Sequence, residues 1–241
     1  GDNAYAFETL QDAIDYANDG ETIVLLTNVE LREILTINKA ITLDGNGYTL
    51  TSTAGRAINV SGADGVTIKN LTINATGERA INVIQNATNV TIENVTATAA
   101  NYAVNVASSA ANAVIVIKDS ELTGLNTVNV AAENTEVTIE NTTITTNDQN
   151  DAENYASIAL SFTAKGSTVT ATNTVVNVNG GSSKAEISCE NGTITIDGST
   201  EGVVQNVAYI QYGDTAYAFE TLQGAIDYAN DGETIVLLTN V

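Results

Sequence analysis

Residues 66–98 read VTIKNLTINATGERAINVIQNATNVTIENVTAT, and the fold is decided there. The phrase VTIKN at 66–70 returns as VTIEN at 90–94. Both alternate apolar with polar residues, the period of a strand with one buried face. Between them stands AINV at 80–83, a second short strand pattern. Outward from this stretch the first phrase continues as IVIKD (115–119), VTIEN (137–141) and VTATN (169–173), with starts 24, 25, 22 and 32 residues apart. ITLDG (41–45) precedes the series and ITIDG (194–198) follows it. The second motif recurs at 57–60, 103–106 and 127–130, with degenerate copies at 157–160 and 185–189.

Hairpin turns every 8–12 residues would mark a sandwich; strands repeating every 22–25 residues do not fit one. They fit a parallel β-helix, in which each coil gives short strands to three sheets and stacks on the next. One coil cannot bury its own apolar face, so stacking makes the core. The expected inward pairs are Ile58/Val60, Ile81/Val83, Val104/Val106, Val128/Val130 and Ile158/Leu160. Seven to nine coils at a spacing of about 4.8 Å predict a rod of roughly 35–45 Å.

Asn70, Asn94, Asp119, Asn141 and Asn173 end the successive phrases and share one parity. Asparagine tolerates a left-handed corner, and its amide bonds to its counterpart one coil away. The five are therefore expected to form a structural ladder, with Gly45 and Gly198 at the same place in the first and last phrases. The sequon-like matches at Asn70, Asn94 and Asn141 carry little weight in such a ladder. The 32-residue gap holds an insertion, placed at 146–156, that leaves the rod as a loop. Asp148, Asp151 and Glu153, with Asn150, supply oxygen ligands there, a candidate Ca²⁺ loop set against the plainer reading of a solvated polar loop. No other cofactor is implied.

A larger repeat frames this one. Residues 1–29 and 213–241 differ only at Asn3/Thr215 and Asp12/Gly224, an offset of 212. The expected organisation is one unit over 1–212, with coils from 21, followed by the start of a second unit over 213–241. Phe7, Leu10, Ile14 and Ala17 are spaced 3, 4 and 3 apart, one face of a helix over 7–18. Gly20 suits its stop. Such a helix would cover the exposed strand edges at the end of the rod. The same face recurs as Phe219, Leu222, Ile226 and Ala229 in a helix over 219–230. That helix is expected to cover the far end, beyond coils closed by 203–212, as a lid shared with the next unit, to which the strand at 233–238 would belong. The competing reading is head-to-tail contact between molecules, which continues without closing.

With this opening phrase the chain resembles the right-handed parallel β-helix, pectate-lyase-like superfamily, in the form of tandem-repeat surface and adhesin-like proteins of prokaryotes. The resemblance implies an all-β solenoid with a short N-terminal capping helix. It also raises the question of an enzyme acting on acidic polysaccharides.

Composition bears on that question. The chain has 241 residues, a formal charge of −21, and no Pro, His, Met or Trp. Lacking a basic patch, it is not expected to bind nucleic acid. No apolar run reaches the ~18 residues of a membrane span. The lone Cys189 makes no internal disulfide and is expected to face inward. Histidine cannot serve as general acid or base, and no aspartates fall at matched positions on adjacent coils. Arg56 and Arg79 are expected to neighbour one another, and Thr42, Thr67, Thr91, Val116, Thr138, Thr170 and Thr195 to form an outward column. The pairs Thr49/Thr51, Thr96/Thr98 and Thr143/Thr145 suggest an ice-binding plane, but Glu121 interrupts it. Asn59, Asn82, Asn105 and Asn129 form a further column that would offer amides to a glycan. The expectation is a non-enzymatic, extracellular or cell-surface fibre or stalk protein whose units join end to end. Glycans or other cell-surface molecules are further expected partners. Polysaccharide binding, polysaccharide chemistry and ice binding are the alternatives.

Overall fold

The computed structural model describes residues 5–146, 156–162, 164–177, 183–189, 193–197, 208–212, 215–219 and 222–237. The chain is built mostly of strands stacked as a parallel β-solenoid. The phrase strands lie in the order Thr22–Val24, Thr42–Asp44, Thr67–Ala75, Val90–Thr98, Val114–Lys118, Glu136–Glu140, Thr168–Thr172 and Thr193–Asp197. All their pairings are parallel. A seven-stranded sheet carries the AINV motif from Leu35–Ile37 through to Ser183–Cys189. A third face runs from Val29–Leu31 through Thr49–Ser52, Glu121–Gly124 and Thr143–Thr146 to Val175–Asn177. Thr67–Ala75 and Val90–Thr98 run unbroken through the corner, so the first and third faces join into one 13-stranded sheet.

Register keeps like on like. Leu43, Ile68, Ile92, Ile117, Ile139 and Ala171 stack in sequence and are all buried. A one-residue slip would turn that column out to solvent, which is why the alternation fixes the pairing. On the AINV sheet Ile58/Val60, Ile81/Val83, Val104/Val106 and Val128/Val130 are inaccessible, and Leu160 with them. The side chain of Ile158 lies outside the described residues, as does that of Cys189, whose backbone pairs with Phe162. Outward, the column Thr42–Thr67–Thr91–Val116–Thr138–Thr170–Thr195 is continuous.

One end of the solenoid is closed by α1, Leu10–Tyr16. The helix starts later than the apolar spacing suggests. The Thr9 hydroxyl accepts the Asp12 N–H at 3.1 Å and donates to the Asp12 carboxylate at 2.6 Å, so Thr9 is the N-cap and Phe7 lies outside the helix. Phe7 stays partly exposed and packs its ring on Tyr16, with centroids 5.2 Å apart. Leu10, Ala13, Ile14 and Ala17 form the buried face. Lys39 holds the other terminus, donating from Nζ to the carbonyls of Ile14, Asp15 and Ala17 at 3.1, 2.6 and 2.7 Å. A cation there satisfies orphan carbonyls and opposes the helix dipole.

At the other end the strand pairing changes direction. Ala208–Tyr212 closes no coil; it is the middle strand of an antiparallel sheet, between Thr215–Phe219 and Ile235–Leu237. Ile235–Leu237, within the stretch expected to begin a following unit, pairs back onto Ala208–Tyr212. The helix α2, Leu222–Tyr228, rests on these three strands. The trace of Thr215–Phe219 runs beside Ser183–Cys189 of the solenoid.

Candidate functional site

The corner after each phrase is the most regular polar feature. Asn70, Asn94, Asp119, Asn141 and Asn173 have φ of 53°, 51°, 52°, 48° and 49°, the left-handed region that asparagine and aspartate tolerate. Asn94 Nδ2 donates to Asn70 Oδ1 at 2.9 Å, and Asn70 Nδ2 to Asp44 Oδ1 at 3.0 Å. Asn173 Nδ2 donates to Asn141 Oδ1 at 2.8 Å, and Asn141 Nδ2 to Asp119 Oδ1 at 3.0 Å. Every amide gives its proton to the coil before it. An ionised aspartate has none to give, so Asp119 starts a second stretch of ladder instead of extending the first. Asp44 starts the first stretch. Gly45 lies opposite the Asn70 corner, where a Cβ would meet Asn70 O at 2.5 Å, and the left-handed residue of that coil is Asn46, φ 50°. Gly198 lies outside the described residues.

Burial pushes the Asp44 carboxyl up. The Asn70 amide, the Asn46 N–H and the Lys69 ammonium together outweigh it and hold the group below the usual carboxylate range. Lys69 Nζ stands 3.4 Å from Asp44 Oδ2. This pair opens a column that the sequence carries in the fourth place of each phrase: Asp44, Lys69, Glu93, Lys118 and Glu140 are neighbours in register. Lys118 Nζ bonds Glu93 Oε1 at 3.1 Å. Signs alternate from coil to coil, which avoids like charges on directly opposed residues. The signal was present in the phrases and is visible only when their fourth letters are read as a column.

The Asn59–Asn82–Asn105–Asn129 column is a second ladder, with Nδ2-to-Oδ1 bonds of 2.8, 2.7 and 2.7 Å. It was expected to face solvent and offer amides. Asn82 and Asn105 are instead buried. Their amide hydrogens go along the stack, so this column is structural. Arg79 lies over it, giving Nη1 to Asn82 Oδ1 at 3.2 Å and placing its guanidinium 5.4 Å from the Tyr102 ring centre. Arg56, Arg79 and Tyr102 are register neighbours, as the sequence places the two arginines.

The threonine pairs fall where read: Thr49/Thr51 on Thr72/Asn74, then Thr96/Thr98, Glu121/Thr123, Thr143/Thr145 and Val175/Asn177. Glu121 stands exposed in the middle of that plane. Beside it, a shallow open groove of about 380 Å³ is lined by Asn46, Asn70, Leu71, Thr72, Asn94 and Thr96, a polar wall of amides and hydroxyls. Asp148, Asp151 and Glu153 lie outside the described residues. Among the described residues no three Asp, Glu, Cys or His side chains come together to hold a metal, and no helix is long and apolar enough to cross a membrane.

The cap residues separate by copy. Leu10, Ile14 and Ala17 are buried against the solenoid. Leu222 and Ala229 are half-buried around Ala225, and Ile226 is 48% exposed where Ile14 is 0%. Nothing is described of the Phe219 side chain. Comparison of the chain with family models, with curated proteins and with solved structures yields no match.

Proposed function

We propose that the chain is a unit of an extracellular or surface-attached structural fibre, a tandem-repeat β-helix of pectate-lyase-like descent and adhesin-like form. Its units join end to end and act as a shaft. The observation that supports this reading is the recurrence of residues 1–29 at 213–241, around a solenoid whose first end is closed by that very sequence. A long array of such units needs regular stacking and a surface that stays soluble. The ladders supply the first. The charge of −21 supplies the second through mutual repulsion.

Small-angle scattering of chains carrying one, two and three units tests the reading. A maximum dimension that rises in equal steps supports a stiff shaft. A dimension that rises as a flexible string of beads overturns it.

A second reading, glycan binding along the shaft, is favoured by the open groove beside Asn70 and Asn94. Its test is the shift of amide resonances at Asn46, Thr72 and Thr96 on titration with neutral and uronic oligosaccharides.

A further inference from the structure

The two copies of the repeated segment fold alike locally. Helix Leu10–Tyr16 corresponds to helix Leu222–Tyr228. Gln11 Nε2 bonds Asp15 at 2.9 Å, and Gln223 Nε2 bonds Asp227 at 2.8 Å. The Asn18 N–H bonds the Glu21 carboxylate at 2.8 Å, and the Asn230 N–H bonds that of Glu233 at 2.7 Å. Their surroundings differ. The first copy has coils beneath it and nothing described above it. The helix of the second packs on Ala208–Tyr212 and its two partner strands, Thr215–Phe219 and Ile235–Leu237.

Each copy therefore displays one half of a junction. In the second copy, Thr215–Phe219 pairs antiparallel with Ala208–Tyr212, in the register Tyr217 to Ile210, and Ile235–Leu237 pairs with the same strand, Val236 to Tyr209. The equivalents in the first copy are Tyr5, beside Phe7, and residues 23–25, of which Ile23 and Val24 lie in the strand Thr22–Val24; among the described residues that strand is paired only with Thr42–Asp44. Side chains follow the same contrast. Tyr16 is 56% exposed and Val24 46%, whereas Tyr228 and Val236 are half-buried. At the capped end of the solenoid the exposed rings of Tyr5 and Phe7 each lie 5.2 Å from that of Tyr16, an apolar patch, and Val24 and Leu26 are exposed as well. Contiguous exposed apolar surface of this kind marks an interaction site.

We infer that this patch is the docking surface for a second copy of the chain. The strand Ala208–Tyr212 of that copy adds onto Tyr5–Phe7 and 23–25, as it adds onto 215–219 and 235–237 within its own chain. Residues 213–241 are then an internal plug, occupying the strand that the start of another molecule would take. Backbone pairing gives the affinity and the repeated sequence gives the specificity. The contact joins two different surfaces, so it propagates head to tail without closing. This rests on the end-to-end reading above and deepens it: the same surfaces that join covalent units also join separate chains once the plug is displaced.

The test displaces the plug and leaves the first copy intact. Adjacent residues of a strand direct their N–H groups to opposite edges, so a pair of neighbouring prolines removes a ladder donor whichever edge is used. The plug variant carries Ala216→Pro, Tyr217→Pro, Ile235→Pro and Val236→Pro in the full chain. A second variant adds Ala4→Pro and Tyr5→Pro, which leaves α1 and Thr22–Val24 untouched. Sedimentation velocity is run over a 100-fold range of concentration, with circular dichroism and limited proteolysis of 213–241 alongside.

The expected result is a wild-type chain of constant monomer mass, a plug variant whose mass climbs through dimers to longer species, and a second variant that returns to monomer. A plug variant that keeps its β signature, is cut within 213–241 and stays monomeric overturns the inference. So does association that survives Ala4→Pro and Tyr5→Pro, and so does a segment that stays protected despite the prolines, because the ladder then does not hold it. None of these outcomes touches the scattering series on covalently joined units, which decides the shaft reading independently.

Discussion

Gln11 closes the open edge of the AINV sheet by pairing with Thr36 as a neighbouring strand would. Its Oε1 accepts the Thr36 N–H at 2.9 Å and its Nε2 donates to the Thr36 carbonyl at 3.1 Å. Leu35–Ile37 is the last strand of its sheet on that side. An edge strand offers a row of unpaired groups to any passing chain, and here the side-chain amide occupies part of that row. Replacing Gln11 by Glu keeps the length and loses the donor. The expected loss is about 1–2 kcal/mol of unfolding free energy, read by urea titration. Gln223→Glu, at an exposed side chain bonded to Asp227 and, among the described residues, to no strand edge, is expected to stay within about 0.5 kcal/mol.

Ile14 and Ile226 test the same asymmetry through packing. Ile14 is wholly buried against the first coils, whereas Ile226 is 48% exposed. Ile14→Ala is expected to destabilise the solenoid by about 2–5 kcal/mol, through lost burial and the cavity left behind. Ile226→Ala is expected to change global stability by less than about 0.5 kcal/mol. Differential scanning calorimetry of the two variants, side by side, checks the contrast.

Asn82 sits in the middle of a buried amide stack, between Asn59 and Asn105. Asn82→Ala removes one acceptor and one donor at once and strands the Asn105 amide. The expected cost is about 1–3 kcal/mol. Asn129, at the half-buried end of the stack, should lose less on the same change. Chemical denaturation of both variants measures the difference.

Asp44 carries the pH dependence. Its folded-state pKa lies below the ordinary value, so its contribution is present above the unfolded pKa of about 3.9 and is lost as pH falls through the folded value. Acid titration of stability should therefore show a loss below about pH 4 that Asp44→Asn diminishes. The Asn variant keeps an acceptor for Asn70 and removes the charge that Lys69 compensates. An unchanged acid limb would contradict the assignment.

Lys69 separates two acids in the alternating column. Lys69→Glu would align three carboxylates, at positions 44, 69 and 93, on successive coils. These groups are partly exposed, so the effect is expected near 1 kcal/mol at low salt and to fade as sodium chloride screens it. A melting temperature of this variant that is insensitive to salt would contradict the column's role.

The solenoid was legible because its signal repeats. The VTIKN and AINV phrases alternate with period two, and their like letters fall in register, so one coil predicts the next. Asn70 and Asn94 were legible for a related reason: a left-handed corner restricts residue type at a fixed offset. The ends were harder to read. Phe7 has the spacing of a helical face, but the Thr9 cap, a local hydrogen bond, starts the helix after it. Ala208–Tyr212 alternates like a coil strand, yet it pairs antiparallel, because strand alternation records which face is buried and not the direction of the partner. The burial of Asn82 and Asn105 escaped for the reverse reason. Outward parity normally means solvent, and the stacked amides satisfy each other well enough to be covered by Arg79 and its neighbours. The 48% exposure of Ile226, against the buried Ile14 of an almost identical segment, is tertiary context that no local pattern contains.

The most direct test of the shaft is cryo-electron microscopy of a chain carrying three complete units. The account predicts straight, thin rods with a constant axial repeat, each junction filled by a copy of α1 with coils on one side and an antiparallel strand on the other. Compact particles joined by bends of variable angle, with the repeated segment unpaired at each joint, would contradict it.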